Sequence, residues 1–136
     1  MGVDLRKAAK RFARTWEAGW ARRDVDGIAE LYAADCVHRS MPFRPPHVGR
    51  TAVVDYLRWS FADEPATSVR FGDPIVDGDR AVMEYLVTAI EAATERPVTL
   101  AGCAFIRFND EGLVTEVRDY WHVTEGHYEP VGTLFL

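Results

Sequence analysis

A chain of 136 residues, 48% of them hydrophobic, is long enough to bury a core without help from metal or disulfides. With 16 Lys+Arg against 21 Asp+Glu, a formal net charge of -5 and both signs spread along the chain, it lacks the basic stripe that a phosphate-backbone binder needs, which excludes nucleic acid as the expected partner. The one basic cluster, Arg6, Lys7, Lys10, Arg11 and Arg14, sits at helical spacing and reads as a solvated helix face. Cys36 and Cys103 lie far apart, the opening MGVDLRKAAK has no secretion-type apolar segment, and no run approaches the length of a membrane span. The expectation is a cytoplasmic protein with free thiols, no membrane contact and one domain over residues 1–136.

Residues 3–23 place Leu5, Ala9, Phe12, Trp16 and Trp20 at intervals of three and four, an apolar stripe along one helix with the two tryptophans stacked on it. Asp24 caps a second helix that runs to about Ala34, with Ile28, Leu31 and Tyr32 inward. The alternation in CVHRS, residues 36–40, predicts a strand with Cys36, His38 and Ser40 on one face. MPFRPPHVG carries three prolines and is expected to be a stiff, irregular rim loop. A third helix follows from about Thr51 to Phe61, with Val53, Val54, Leu57 and Phe61 on one side. The remainder reads as sheet: residues 67–77 interrupted near Gly72 and Pro74, then 80–91 and 97–108, joined by hairpin-length connections. Three helices followed by strands in meander order predict an α+β domain, an antiparallel sheet with helices on one face.

The last hairpin, GCAFIRFNDEGLVTEVRDYWH over residues 102–122, turns at Asn109, Asp110, Glu111 and Gly112. Strand alternation puts Thr115, Val117, Asp119 and Trp121 on one face and Val114, Glu116, Arg118, Tyr120 and His122 on the other. Asp119 therefore lies on the apolar side, between Val117 and Trp121. Two readings stay open on this pattern: an acid paired to arginine or capped by backbone, and a catalytic carboxylate inside a pocket.

The segments RDVDGIAELYAADCV, HVGRTAVVDYL, PIVDGDRAVMEY and GCAFIRFNDEGLVTEVRDYW, in this order, resemble the SnoaL-like branch of the nuclear transport factor two-like superfamily over nearly the whole chain. The resemblance implies a curved antiparallel sheet wrapped around three N-terminal helices, a cone-shaped barrel with an apolar pocket. Polyketide cyclases, ketosteroid isomerases, limonene-type epoxide hydrolases and non-enzymatic binding domains share that fold, so fold alone does not fix function. The three isomerase positions fall on Trp16, Ser40 and Ala104, none of which keeps the isomerase residue. Of the epoxide hydrolase set only the last-strand acid is matched, by Asp119; the other two positions fall near Met83 and Tyr85. SnoaL-type cyclases, which use a pocket acid without metal or cofactor in an aldol ring closure, are matched best, again through Asp119.

An acid walled by Trp and Val is harder to ionise, which suits a general acid or base near neutral pH. Arg39 and Arg118 lie on the wrong strand faces to reverse that shift. His38, on the face of Ser40, either pairs with Asp119 to shuttle a proton or is a hydrogen-bonded wall residue. Tyr32, Tyr56 and Tyr85 either polarise a substrate carbonyl or fill the wall. Met83, Val87 and Ile106 are expected as lining, as are Trp16, Trp20, Ser40, Ala104, Val117 and Trp121.

The spacing of His47, His122 and His127 suggests no metal site, and no Gly-rich phosphate loop follows a strand, so neither metal nor cofactor is expected. The apolar terminus Leu134, Phe135 and Leu136 either closes the pocket mouth or packs on a second subunit. The resemblance implies a homodimer through the outer sheet face, which would carry Phe105, Val114 and Tyr120. The expected activity is a cofactor-independent cyclase or isomerase acting on a small hydrophobic carbonyl compound, with Asp119 as acid/base and His38 assisting. The alternatives are a non-catalytic small-molecule binding protein and an epoxide-hydrolase-like activity.

Overall fold

A computed structural model describes residues 3–130 and 132. The apolar tail Leu134, Phe135 and Leu136 lies outside the described residues. Helix α1 spans Leu5–Gly19, capped by the Asp4 carboxylate accepting from the Arg6 amide at 3.0 Å. It is shorter than its apolar stripe, because the chain turns after Gly19 and Arg23 adopts a positive φ of 56° before Asp24 caps α2. Phe12 and Trp16 are buried, and Trp16 meets Trp20 edge-on at 5.3 Å and 72° rather than stacked.

Helix α2 covers only Val25–Ala29, not the run to Ala34, and strand β1 begins at Tyr32 and continues to Ser40. Ile28, Leu31 and Tyr32 fit either period, and pairing decides between them: the Val114 amide donates to the Leu31 carbonyl at 2.8 Å, and Tyr32 pairs with Val114. Inside the expected rim loop, His47–Val48 form a short strand, β2, against Val37 and His38. Pro42, Pro45 and Pro46 precede it, so the ladder amides are intact. Gly49, at a φ of 87°, leads into α3, Arg50–Asp63, whose Val53, Leu57 and Phe61 are buried while Val54 stays at its edge.

The remaining strands are β3 (Ala66–Phe71), β4 (Ile75–Asp77), β5 (Arg80–Ile90), β6 (Pro97–Phe108) and β7 (Val114–Glu125). The sheet runs β2-β1-β7-β6-β5-β3, with β4 also on β5. It is a curved, unclosed sheet around the helices, antiparallel except where β1 runs parallel to β7. That parallel pair sets Ser40 beside Asp119 and His38 beside Val117. The β6–β7 register slips between Arg107 and Phe108, which pair with Glu116 and Val114, so Thr115 is an extra residue. The bulge turns Val114 inward, to 1% exposure, and removes it from the outer face where strict alternation had put it.

Beyond β7 the chain folds back on the sheet's outer face. The Thr99 hydroxyl donates to the Gly126 carbonyl and accepts from the Tyr128 amide, and Arg70 pairs with Glu129. The described part of the tail therefore does not cover the sheet's inner face. Among the described residues no helix is long and apolar enough to cross a membrane.

Candidate active site

Two adjacent rows of the sheet build the site. One is Phe71, Tyr85, Gly102 and Trp121, in register across β3, β5, β6 and β7. The next is Met83, Ala104, Asp119 and Ser40, across β5, β6, β7 and β1. Glycine is the one gap in an otherwise aromatic row. Through it the Tyr85 hydroxyl crosses diagonally to donate a hydrogen bond to Asp119 Oδ1 at 2.7 Å. A β-carbon on Gly102 would stand 2.8 Å from that hydroxyl.

Burial pushes the Asp119 carboxyl up to about 7, against the opposing effect of the Tyr85 hydrogen bond. Tyr85 itself is pushed well above its ordinary value, by burial and then by the neighbouring Asp119 charge, so it stays protonated and donates. No arginine pairs with Asp119 among the described residues, which disposes of the structural ion pair. Oδ2 takes no protein hydrogen bond there. The only fully enclosed side-chain polar atom without a partner among the described residues is Trp16 Nε1, so Oδ2 keeps access to solvent. Burial falls along β7 from Val114 and Val117 through half-buried Asp119 and Trp121 to exposed Val123, so the interior opens toward the end of that strand.

His38 is 3% exposed and burial, then the neighbouring His47, lowers its pKa to about 3, so it is neutral at physiological pH. Its Nδ1 lies 3.3 Å from the Tyr32 hydroxyl, and it makes no hydrogen bond to Asp119. The Trp16 N–H lies near enough to Tyr32 to favour its ionised form, although not aligned as a hydrogen bond. In the tautomer that carries the His38 proton on Nε2, Nδ1 accepts from the Tyr32 O–H. Among the described residues Nε2 has no hydrogen-bond partner.

Asp119, His38, Tyr85, Trp16, Trp20, Ala104 and Val117 come together around one space, joined by Phe12 and Phe71, which sequence reasoning did not assign to it. The free volume between them is about 20 Å³, room for one water, and it is open to solvent on one side. The deep apolar pocket implied by the resemblance is filled: Trp20 stacks on Phe61 at 5.8 Å and packs against Tyr85 at 5.7 Å, and Phe71 stacks on Tyr85 at 5.3 Å.

The other expected lining residues stand one layer away. Met83, Val87 and Ile106 are core, and Tyr32 holds His38. Ser40 accepts from Trp121 Nε1 at 3.1 Å, and Tyr56 stacks on His47 at 4.2 Å. Gly102 lies beside the Tyr85 hydroxyl, and the Arg44 guanidinium lies 5.3 Å from the centre of the Trp121 ring. No group of three or more His, Cys, Asp or Glu side chains is placed to hold a metal among the described residues. Both cysteines are free thiols.

The sequence profile of the SnoaL-like domain matches residues 12–117. No curated protein matches. Among solved structures, a candidate polyketide cyclase from Xanthomonas campestris pv. campestris is 22% identical, with 88% of this chain and 93% of that one covered and a TM-score of 0.71. A candidate isomerase from Bacillus subtilis is 21% identical over 88% and 90% of the two chains, with a TM-score of 0.76. An LEH-like epoxide hydrolase of M. tuberculosis is 20% identical over 85% and 84%, with a TM-score of 0.69. At these identities the likeness is one of fold.

Proposed function

The chain belongs to the SnoaL-like domain family, and from that premise we propose that it is an acid/base enzyme that moves a proton at the carbon next to a carbonyl in a small hydrophobic compound. The observation that carries this reading is the Tyr85–Asp119 hydrogen bond at 2.7 Å around a carboxyl poised at about 7. A carboxyl near neutrality is ionised often enough to accept a proton and basic enough to hold it. Tyr85 fixes Oδ1, so that Oδ2 is the oxygen offered to the substrate.

In the proposed step the Asp119 carboxylate removes the α-proton, and the C–H electron pair moves into the carbonyl to form an enolate. His38, neutral and carrying its proton on Nε2, donates a hydrogen bond to the enolate oxygen; a neutral donor stabilises that charge without surrendering its proton. Where the substrate carries a double bond one carbon further along, the anion is a dienolate and takes the proton back from Asp119 at the far end of that bond, which is an isomerisation. Alternatively its carbon attacks a second carbonyl and the resulting alkoxide takes the proton, which is an aldol ring closure. Neither route consumes a cofactor. His38 is thus assigned the role of hydrogen-bond donor rather than proton shuttle, since a pKa of about 3 leaves it a poor proton acceptor.

The test is deuterium incorporation from D₂O next to the carbonyl of a panel of small ketones, followed by NMR. Wild-type protein is expected to exchange at least one of them, and Asp119→Asn to slow it by roughly two to four powers of ten. Equal exchange by the two proteins overturns the reading. The aromatic lining of Trp16, Trp20, Phe71 and Tyr85 also suits a second reading, a protein that binds an apolar ligand without turnover. Saturable ligand binding with no exchange above background would select it.

A further inference from the structure

We propose that Arg44 and Trp121 form an anion subsite at the rim, so that the substrate of the reaction inferred above is a carbonyl compound bearing a carboxylate; this rests on that reading of Asp119. The subsite is built by the segment that follows β1. Met41 adopts a positive φ of 71°, and its amide donates to the carbonyl of Asp119 itself at 2.8 Å, so the segment starts from the backbone of the proton-transfer residue. Pro42, Pro45 and Pro46 stiffen it, and the Arg39 guanidinium donates to the Arg44 carbonyl at 2.7 Å. The Arg44 side chain is thereby delivered over the Trp121 ring, whose own orientation is set by the Nε1 bond to Ser40.

Among the described residues Arg44 has neither a carboxylate nor a hydrogen-bond acceptor for its five N–H groups, although acids outnumber bases in the chain. Its geometry matches the size of the enclosed space. With room for about one water beside Asp119, only the reacting end of a compound enters, and the rest lies along the opening toward Trp121. Asp119 and Trp121 are two residues apart on one strand face, roughly 7 Å. That separation suits a short oxo acid, its carbonyl at Asp119 and His38 and its carboxylate on the planar guanidinium fork. Phe43, fully exposed beside Arg44, offers apolar surface to the intervening carbons.

The experiment compares 4-oxopentanoate with its neutral isostere 4-oxopentanamide by titration calorimetry on wild-type protein, Arg44→Gln and Asp119→Asn. Wild type is expected to bind 4-oxopentanoate about tenfold or more tighter than 4-oxopentanamide. Arg44→Gln, an exposed substitution that leaves the fold alone, is expected to erase that preference while changing 4-oxopentanamide affinity by less than about twofold. Equal binding of the two probes, no binding of either, or a preference that survives Arg44→Gln overturns the proposal. Asp119→Asn is expected to keep the preference. Should it also keep full deuterium exchange, the proton-transfer reading falls while the anion subsite stands.

Discussion

Gly102 and Tyr85 are direct partners across β5 and β6, and the glycine's missing side chain is the space the tyrosine hydroxyl occupies on its way to Asp119. A methyl at position 102 would also stand 2.5 Å from the Tyr120 carbonyl and 2.8 Å from Trp121 Cβ, so Gly102→Ala is expected to cost about 1–3 kcal/mol of stability as β7 shifts. Its more telling effect is on the carboxyl. The Tyr85 bond lowers the Asp119 pKa, so losing it should carry the acid limb of the activity profile upward by about one pH unit. Tyr85→Phe removes the same bond without the clash and is expected to move the limb equally with less loss of stability, as read by pH–rate profiles and urea melts of both variants. An unmoved limb in Tyr85→Phe would mean the bond does not tune the acid.

Asp119 and His38 are expected to oppose each other in the pH dependence of folding. The folded Asp119 carboxyl, at about 7, holds its proton more tightly than in the unfolded chain at 3.8. Its contribution is therefore full below 3.8 and is lost as pH rises through about 7. His38, at about 3 folded against 6.5 unfolded, contributes fully above 6.5 and loses that contribution as pH falls through about 3. Between about pH 4 and 6.5 the two slopes, each at most about 1.4 kcal/mol per pH unit, have opposite signs. Asp119→Asn should expose the His38 slope, with stability falling in acid. His38→Gln should expose the Asp119 slope, with stability rising in acid. Urea midpoints at half-unit pH steps check both, and slopes of the same sign in the two variants would contradict the shifts.

What period-2 alternation reveals, and what it hides, is clear from these same residues. Asp119 was legible because one polar side chain interrupts an apolar strand face, and His38 because it shares a face with Cys36 and Ser40. The Tyr85 contact was not, since it runs diagonally between rows and depends on the register of three strands and on the gap at Gly102. Val114 was assigned to the wrong face because a bulge at Thr115 breaks the count, a backbone event with no side-chain signature. Tyr32 read as helix because its local pattern fits both periods, and only the parallel partner β7, some eighty residues later, decides. The filled interior was hidden for a related reason: Trp20, Phe61 and Phe71 come from three elements, and their interdigitation has no linear trace.

Trp16→Phe offers a test of that filled interior. Among the described residues the indole N–H is buried without a hydrogen-bond partner, so its removal recovers about 1–3 kcal/mol of desolvation cost, while the smaller ring sacrifices packing of similar size. The variant is therefore expected to change stability by less than about 1 kcal/mol while enlarging the space beside Asp119. Tighter binding of an apolar ligand such as phenylacetamide, by about threefold to tenfold, would follow, measured by calorimetry alongside a urea melt. A loss of several kcal/mol would show that the N–H has a partner in solution.

The outer face of the sheet leads to an expectation about assembly. Phe105 and Tyr120 are 49% and 37% exposed and meet edge-on at 5.9 Å, a contact that shields neither ring from water. Arg80, Glu116 and Arg118 flank them, a mixed-charge border of the kind that suits a two-fold contact in which each patch meets its own copy. We therefore expect a homodimer through this face, with Val114, now buried, taking no part. Phe105→Glu puts a charge at the centre of the patch without touching the core and is expected to yield a monomer with unchanged deuterium exchange, because Asp119 lies on the opposite side of the strands. Sedimentation at micromolar concentration reads the outcome: a wild-type species of 15.3 kDa would rule out the dimer, and a Phe105→Glu dimer would move the interface to another face.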